Sequence, residues 1–134
     1  LSGPFLDRID VRIDVPAVSA TDMIGSKPGE PSALVAQRVA TARDIQRKRY
    51  AGLDLSGIHT NSAAPSSAIE QIVAPDAESR DLLLKAAETF NLSARAYHRV
   101  LKVARTLADL AGSDTVSRPH IAEALSYRIN MANA

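Results

Sequence analysis

Arg95, Arg99, Lys102, Thr106 and Asp109 recur at spacings of four, three, four and three in the 134-residue chain. On an α-helix this spacing puts all five on one stripe, with three cations gathered in its first half. Arg95 follows Ser93 closely, and a serine in that place predicts an N-cap. The free backbone N–H groups and the positive dipole end of the helix then favour an anion near Arg95. A guanidinium there adds two-pronged recognition of a phosphate. The competing reading of the same spacing is a solvated helical face, with Asp109 and Glu123 as counter-charges.

Two further groups of cations are candidates. Arg8 lies between Asp7 and Ile9, just ahead of an alternating segment, where a side chain can reach a neighbouring molecule; the alternative is a local ion pair with Asp7 or Asp10. Arg43, Arg47, Lys48 and Arg49, with Arg38 one turn earlier and Asp44 among them, make the second half of one helix basic. Such a face can track a nucleic-acid backbone through counterion release, or stay solvated. Tyr50 is the lone aromatic beside these cations, which gives base stacking little support. His59, His98 and His120 share no ligand spacing, there is no cysteine, and no HExxH run occurs, so no metal site is expected. Neither a GxxxxGK[ST] phosphate loop nor a nucleophile-elbow sequence is present, so these residues contain no complete ATPase or hydrolase centre.

The elements that must position these residues can be read from pattern. Ile9, Val11, Ile13 and Val15 alternate with Asp10, Arg12 and Asp14, which predicts a half-buried strand closed by Pro16. A lone strand leaves its backbone unpaired, so its sheet is expected elsewhere, in preceding sequence or in another copy. Residues 17–31, with two prolines and two glycines, read as a linker. Residues 32–52 carry a helical period through Leu34, Val35, Arg38, Val39, Ala42, Ile45, Gln46 and Arg49. Residues 53–66 form a Gly-, Ser- and Asn-rich connector.

A short helix over about 67–74 precedes Pro75, and Asp76 caps a helix to about Phe90 that points Leu82, Leu83, Ala86 and Phe90 inwards. Ser93 caps a helix to about Ala111 with an apolar seam of Ala96, Val100, Val103, Leu107 and Leu110, ended by Gly112. Ser117 caps the last helix, which tolerates Pro119 in its first turn and buries Ile121, Ala124, Leu125 and Ile129.

Composition agrees with a small helical protein. Hydrophobic residues make up 46% and charged residues 23%, with 23 alanines against five aromatics, which favours packed helices over a β-sandwich. The absence of cysteine excludes a disulfide framework and a thiolate zinc site, and fits a reducing cytoplasm. No apolar run approaches ~18 residues and no charged-then-apolar leader opens the chain, so no membrane contact is expected. The start at Leu1 without methionine suggests a processed or cut chain.

Two runs tie these pieces together: residues 2–10 (SGPFLDRID) and residues 92–110 (LSARAYHRVLKVARTLADL). With HIAEAL at 120–125 and Tyr127-Arg128, they resemble the C-terminal region of the Mg-chelatase-like AAA+ ATPases, in the competence-associated ComM/YifB branch. His98 and Ser126 depart from that pattern, which often has Asp and Gln there. The resemblance implies a mainly α fold, a helical lid bundle of three to five helices with one leftover strand of the AAA+ core. It divides the chain into a core remnant (1–16), a linker (17–31), a basic helix (32–52), a connector (53–66) and a lid with the sensor-2 helix (67–131). It makes Arg8 an arginine finger reaching the ATP of an adjacent subunit, and Arg95, with Arg99 beside it, the sensor-2 contact to the γ-phosphate.

ATP and Mg2+ would belong to the parent protein, with none bound by this piece alone, and the partners would be the upstream core, neighbouring ring subunits and DNA. A stand-alone basic module binding nucleic acid or an acidic protein, and a magnesium chelatase motor subunit, are the competing functions.

Overall fold

The computed structural model describes residues 3–128. Seven α-helices are present among the described residues: α1 (Gly3–Leu6), α2 (Ala20–Gly25), α3 (Ser32–Gly52), α4 (Ser66–Val73), α5 (Ala77–Thr89), α6 (Ala94–Leu110) and α7 (Arg118–Ser126). A single 3₁₀ turn, Asn61–Ala63, interrupts the connector after α3. The fold is mainly α, as the composition and the two motif runs imply.

Capping chemistry sets the helix boundaries. At the start of α5 the Asp76 carboxylate accepts from the Ser79 N–H at 2.8 Å, and at the start of α6 the Ser93 hydroxyl accepts from the Ala96 N–H at 3.1 Å. The exit of α5 is closed by Asn91 at φ 48°, where the Leu92 N–H reaches back to the Ala87 carbonyl at 3.1 Å. Gly112, at φ +70°, closes α6 in the same way: its own N–H bonds to Asp109 O at 3.1 Å and the next, of Ser113, to Ala108 O at 2.8 Å. A side chain at Gly112 would meet no neighbour, so the left-handed backbone, not space, calls for glycine. In α7, His120 does what no spacing rule suggested: its Nδ1 accepts the Ser117 N–H at 3.1 Å, closing the first turn.

Helix α6 is the hub, packed against α3, α4, α7 and the 3₁₀ turn, while α5 lies on α7. Tyr50, Ile69, Val73, Leu83, Val100, Leu101, Ala104, Ala108, Val116, Ile121 and Ala124 form the buried core. The face that α6 buries is turned from the expected seam. Ala96 and Val100 are buried as expected, Val103 and Leu107 are partly covered, and Leu110 is 42% exposed, whereas Leu101, Ala104 and Ala108 lie at the centre. The cause is the number of neighbours. A helix covered on several sides buries a wide arc, and its alanines let adjacent backbones come close. Of the other expected inner residues, Leu83, Ala86, Ile121, Ala124 and Leu125 are buried and Leu82 and Phe90 partly so. Ile129 lies outside the described residues.

Two expectations need correction. Residues 9–15 form no strand: the segment has no regular secondary structure, with Ile13 72% and Val15 85% exposed, and the Arg12 N–H bonds to the Tyr127 carbonyl at 2.8 Å instead of to a ladder. No other strand exists among the described residues to pair with it, and alternation alone cannot satisfy a strand's backbone. The linker is not wholly irregular, since Ser19 caps the short α2 by accepting from the Asp22 N–H at 3.1 Å. In α3 the apolar residues of the first half are not core. Leu34, Val35 and Val39 are exposed, and burial is limited to Ala42, Gln46 and Tyr50 in the second half. The first turns of α3 therefore extend beyond the bundle.

Candidate functional site

The polar stripe on α6 divides into three parts. At its head, Arg95 is exposed in the first turn, with no hydrogen bond or ion pair among the described residues. In the middle, Arg99 is ion-paired with Asp10, and the Lys102 ammonium donates to the Ser62 carbonyl at 3.0 Å. At its foot, Asp109 is completely buried, so it is not a solvated counter-charge.

Asp109 is the centre of a buried polar network. Arg49 Nη1 and Asn61 Nδ2 both donate to its Oδ2 at 3.0 Å, and Arg105 Nε donates to its Oδ1 at 3.2 Å. Asn61 Oδ1 accepts from the Tyr50 hydroxyl at 2.7 Å, and its Nδ2 also donates to Thr106 Oγ1 at 3.0 Å. Arg105 spends its remaining donors on the Ser113 and Asp114 carbonyls, at 2.7 and 3.0 Å, which ties the loop after α6 to the same centre. Burial presses the Arg105 guanidinium below its usual pKa, against the pull of Asp109. Burial acts on Arg49 in the same sense, but the hydrogen bond and charge of Asp109 outweigh it and hold Arg49 above its usual value.

The basic end of α3 is consequently divided. Arg49 points inward to Asp109, Arg43 donates to Gln46 Oε1 at 3.1 Å, Arg47 pairs with Asp44, and Lys48 is exposed without a partner among the described residues. Arg38, in the half of α3 outside the bundle, pairs with Glu30.

Arg8 is also exposed and engages nothing through its side chain among the described residues, and it sits on a turn closed by its N–H to the Phe5 carbonyl at 3.1 Å. The structure brings this turn to the head of α6. Asp7 Oδ2 accepts from the Ser93 hydroxyl at 2.8 Å, so the N-cap of the Arg95 helix is joined to the residue before Arg8. Buried Arg128, just after α7, lies 3.6 Å from Asp7 Oδ1 and donates to the Ile9 carbonyl at 2.8 Å. The sequence singles out Arg8, Arg95 and Arg99 and offers Asp7 and Asp10 as local partners of Arg8, whereas their partners, like that of Arg128, lie 86 or more positions away. Pattern reading missed Asn61 and Arg105, although Arg105 stands four residues before Asp109 on one helix, a spacing that pairs charges.

Among the described residues no three His, Asp or Glu side chains are grouped to hold a metal ion, and no helix is long and apolar enough to cross a membrane.

An all-helical bundle whose capped central helix presents an arginine in its first turn is the class of domain the two motif runs imply. Residues 29–128 match the family described as magnesium chelatase, subunit ChlI C-terminal, and the chain belongs to that family. Among its relatives are the competence protein ComM of Haemophilus influenzae, 41% identical over 129 residues, and the uncharacterized protein YifB of Escherichia coli, 40% identical over 132. The uncharacterized protein Mb2921c of Mycobacterium bovis is 34% identical over 128 residues. Each match covers 96% of this chain and only about a quarter, 24–25%, of the relative.

Proposed function

We propose that the chain is the helical lid region of an oligomeric Mg-chelatase-like AAA+ ATPase that acts on DNA. In this reading residues 67–131 form the lid, residues 32–52 the helix leading into it, and residues 1–16 the end of the nucleotide-binding core. Residues 17–31 and 53–66 are linkers. ATP and Mg2+ are held between that core and the lid of a cytoplasmic ring. Arg95 meets the γ-phosphate in cis, with Arg99 one turn behind it, and Arg8 meets the nucleotide of the adjacent subunit. Charge developing on the transferred phosphoryl group is what both guanidiniums would neutralise.

The observation that carries this reading is a contrast in the charge pairing. Arg99, Arg105 and Arg128 are each committed to a carboxylate, whereas Arg95 and Arg8 are exposed and unengaged among the described residues. Arg95 in addition stands where the helix dipole favours an anion. The competence name of the Haemophilus relative favours DNA work over metal insertion into a porphyrin.

The test is ATP turnover by the full-length protein. Arg8→Ala should lower kcat about 10³-fold or more, as loss of an arginine finger does. Arg95→Ala should lower it strongly as well, and neither should change the circular dichroism spectrum. Unchanged turnover in both variants overturns the assignment.

A further inference from the structure

We propose that Arg128 is a positioning residue for Arg8. It grips the chain on either side of that residue and so fixes the direction in which the Arg8 guanidinium leaves the helical bundle. This rests on the reading of Arg8 as a finger and extends it to the question of what aims it.

Arg128 is buried, 6% exposed, at the end of the helical bundle. Its Nη2 donates to the carbonyl of Ile9 at 2.8 Å and its Nη1 lies 3.6 Å from the carboxylate of Asp7. Those are the residues immediately after and before Arg8. The grip continues on both flanks. Asp7 also receives the Ser93 hydroxyl at 2.8 Å, Asp10 is paired with Arg99, and the Arg12 N–H bonds to Tyr127 O at 2.8 Å while its guanidinium donates to the carbonyl of Arg128 itself. Four residues of the segment 7–12 are thus addressed by α6, its cap or the exit of α7, and the side chain of Arg8 alone among the charged ones is left outward.

An arginine carries four flexible bonds, so its charged end sweeps a large volume unless the backbone beneath it is held. Anchors at the positions before and after leave only the side-chain torsions to search, and a displacement of about 1 Å at a reacting phosphate costs about 10²-fold in rate. The same anchors attach Arg8 to the helix that carries Arg95.

The test uses kcat and KM for ATP in the full-length protein, with variants Arg128→Met and Asp7→Ala, each made alone and in an Arg8→Ala background. Asp7 is partly exposed, so its variant keeps the test open if Arg128→Met does not fold. Each single variant should lower kcat at least tenfold with KM within about twofold, and neither should lower it further once Arg8 is alanine. An unchanged kcat, or losses that multiply in the Arg8→Ala background, overturns the positioning role while leaving the finger. A silent Arg8→Ala overturns the finger and the positioning role together. Independently of ATP, Asp7→Ala should speed amide exchange at Arg12 in the 134-residue chain. Equal exchange in the two proteins overturns the clamp.

Discussion

Arg49, in the last turn of α3, and Asp109, in the last turn of α6, stand 60 positions apart and are joined by two hydrogen bonds, Nη1 to Oδ2 at 3.0 Å and Nη2 to Oδ1. The paired fork fixes the second half of α3 on the hub helix, and Asn61 and Arg105 complete the shell around the carboxylate. Removing Asp109 would strand two guanidiniums beside a desolvated pocket, and breaking a buried pair from one side costs about 3–5 kcal/mol. Asp109→Ala should therefore lose that much in urea unfolding. Arg47→Ala, at an exposed i,i+3 pair, should stay within about 0.5 kcal/mol. Equal losses in the two would mean that the network does not hold the helices together.

Tyr50 makes the stability of the bundle sensitive to alkali. Burial holds its hydroxyl above the usual tyrosine range; the Asp109 charge adds to that and the Arg49 charge opposes it. A raised folded-state pKa means that the neutral form is favoured by folding. The contribution is complete below the unfolded value of about 10 and is lost as pH rises through the folded one. Unfolding free energy should fall above about pH 10 more steeply in the native sequence than in Tyr50→Phe. Parallel curves for the two would remove Tyr50 as the source.

Ser93 has two tasks, accepting from Ala96 N–H as the cap of α6 and donating to Asp7. Ser93→Ala should cost about 1 kcal/mol from the cap alone. Ser93→Gly should restore most of the cap stability, since glycine is only a few tenths worse there, yet should still release Asp7. Faster amide exchange at Arg12 in both variants, with stability lost mainly in the first, is the expected pattern. Stability and exchange moving together in both would show that the cap is the whole effect.

The divided basic face of α3 sets a specific expectation for DNA. Lys48 is exposed and unengaged among the described residues, whereas Arg49 is committed to Asp109. If α3 tracks a duplex, Lys48→Ala should reduce the salt slope of log affinity by about 0.9, the share of one phosphate. Arg49→Ala should act through stability instead. No change in slope for Lys48→Ala, with Arg43→Ala also silent, would take α3 off the DNA path.

Local chemistry was legible wherever a few neighbouring residues decide it. The helix from Ser32 to Gly52, the Asp76 and Ser93 caps and the closing Gly112 could all be read directly, because a capping side chain or a left-handed glycine acts within three or four residues of itself. The stripe on α6 was equally visible as a spacing, and Arg95 and Arg99 with it.

What those side chains touch was decided by the tertiary fold. Asp109 reads as a surface counter-charge until α3 and the 3₁₀ turn close over it, and then it becomes the most enclosed charge in the bundle. The alternation at Ile9 to Val15 reads as a strand, yet a strand exists only when a second one completes its ladder, and here the segment bonds to the exit of α7 instead. Arg8 and Arg95 are 87 positions apart in sequence and are brought to one end of the molecule through Asp7, Ser93 and Arg128. Sequence spacing determines helices because their bonds are short-range. The contacts that bury Asp109 in a clasp and leave Arg95 unengaged among the described residues are long-range, so only the folded chain settles them.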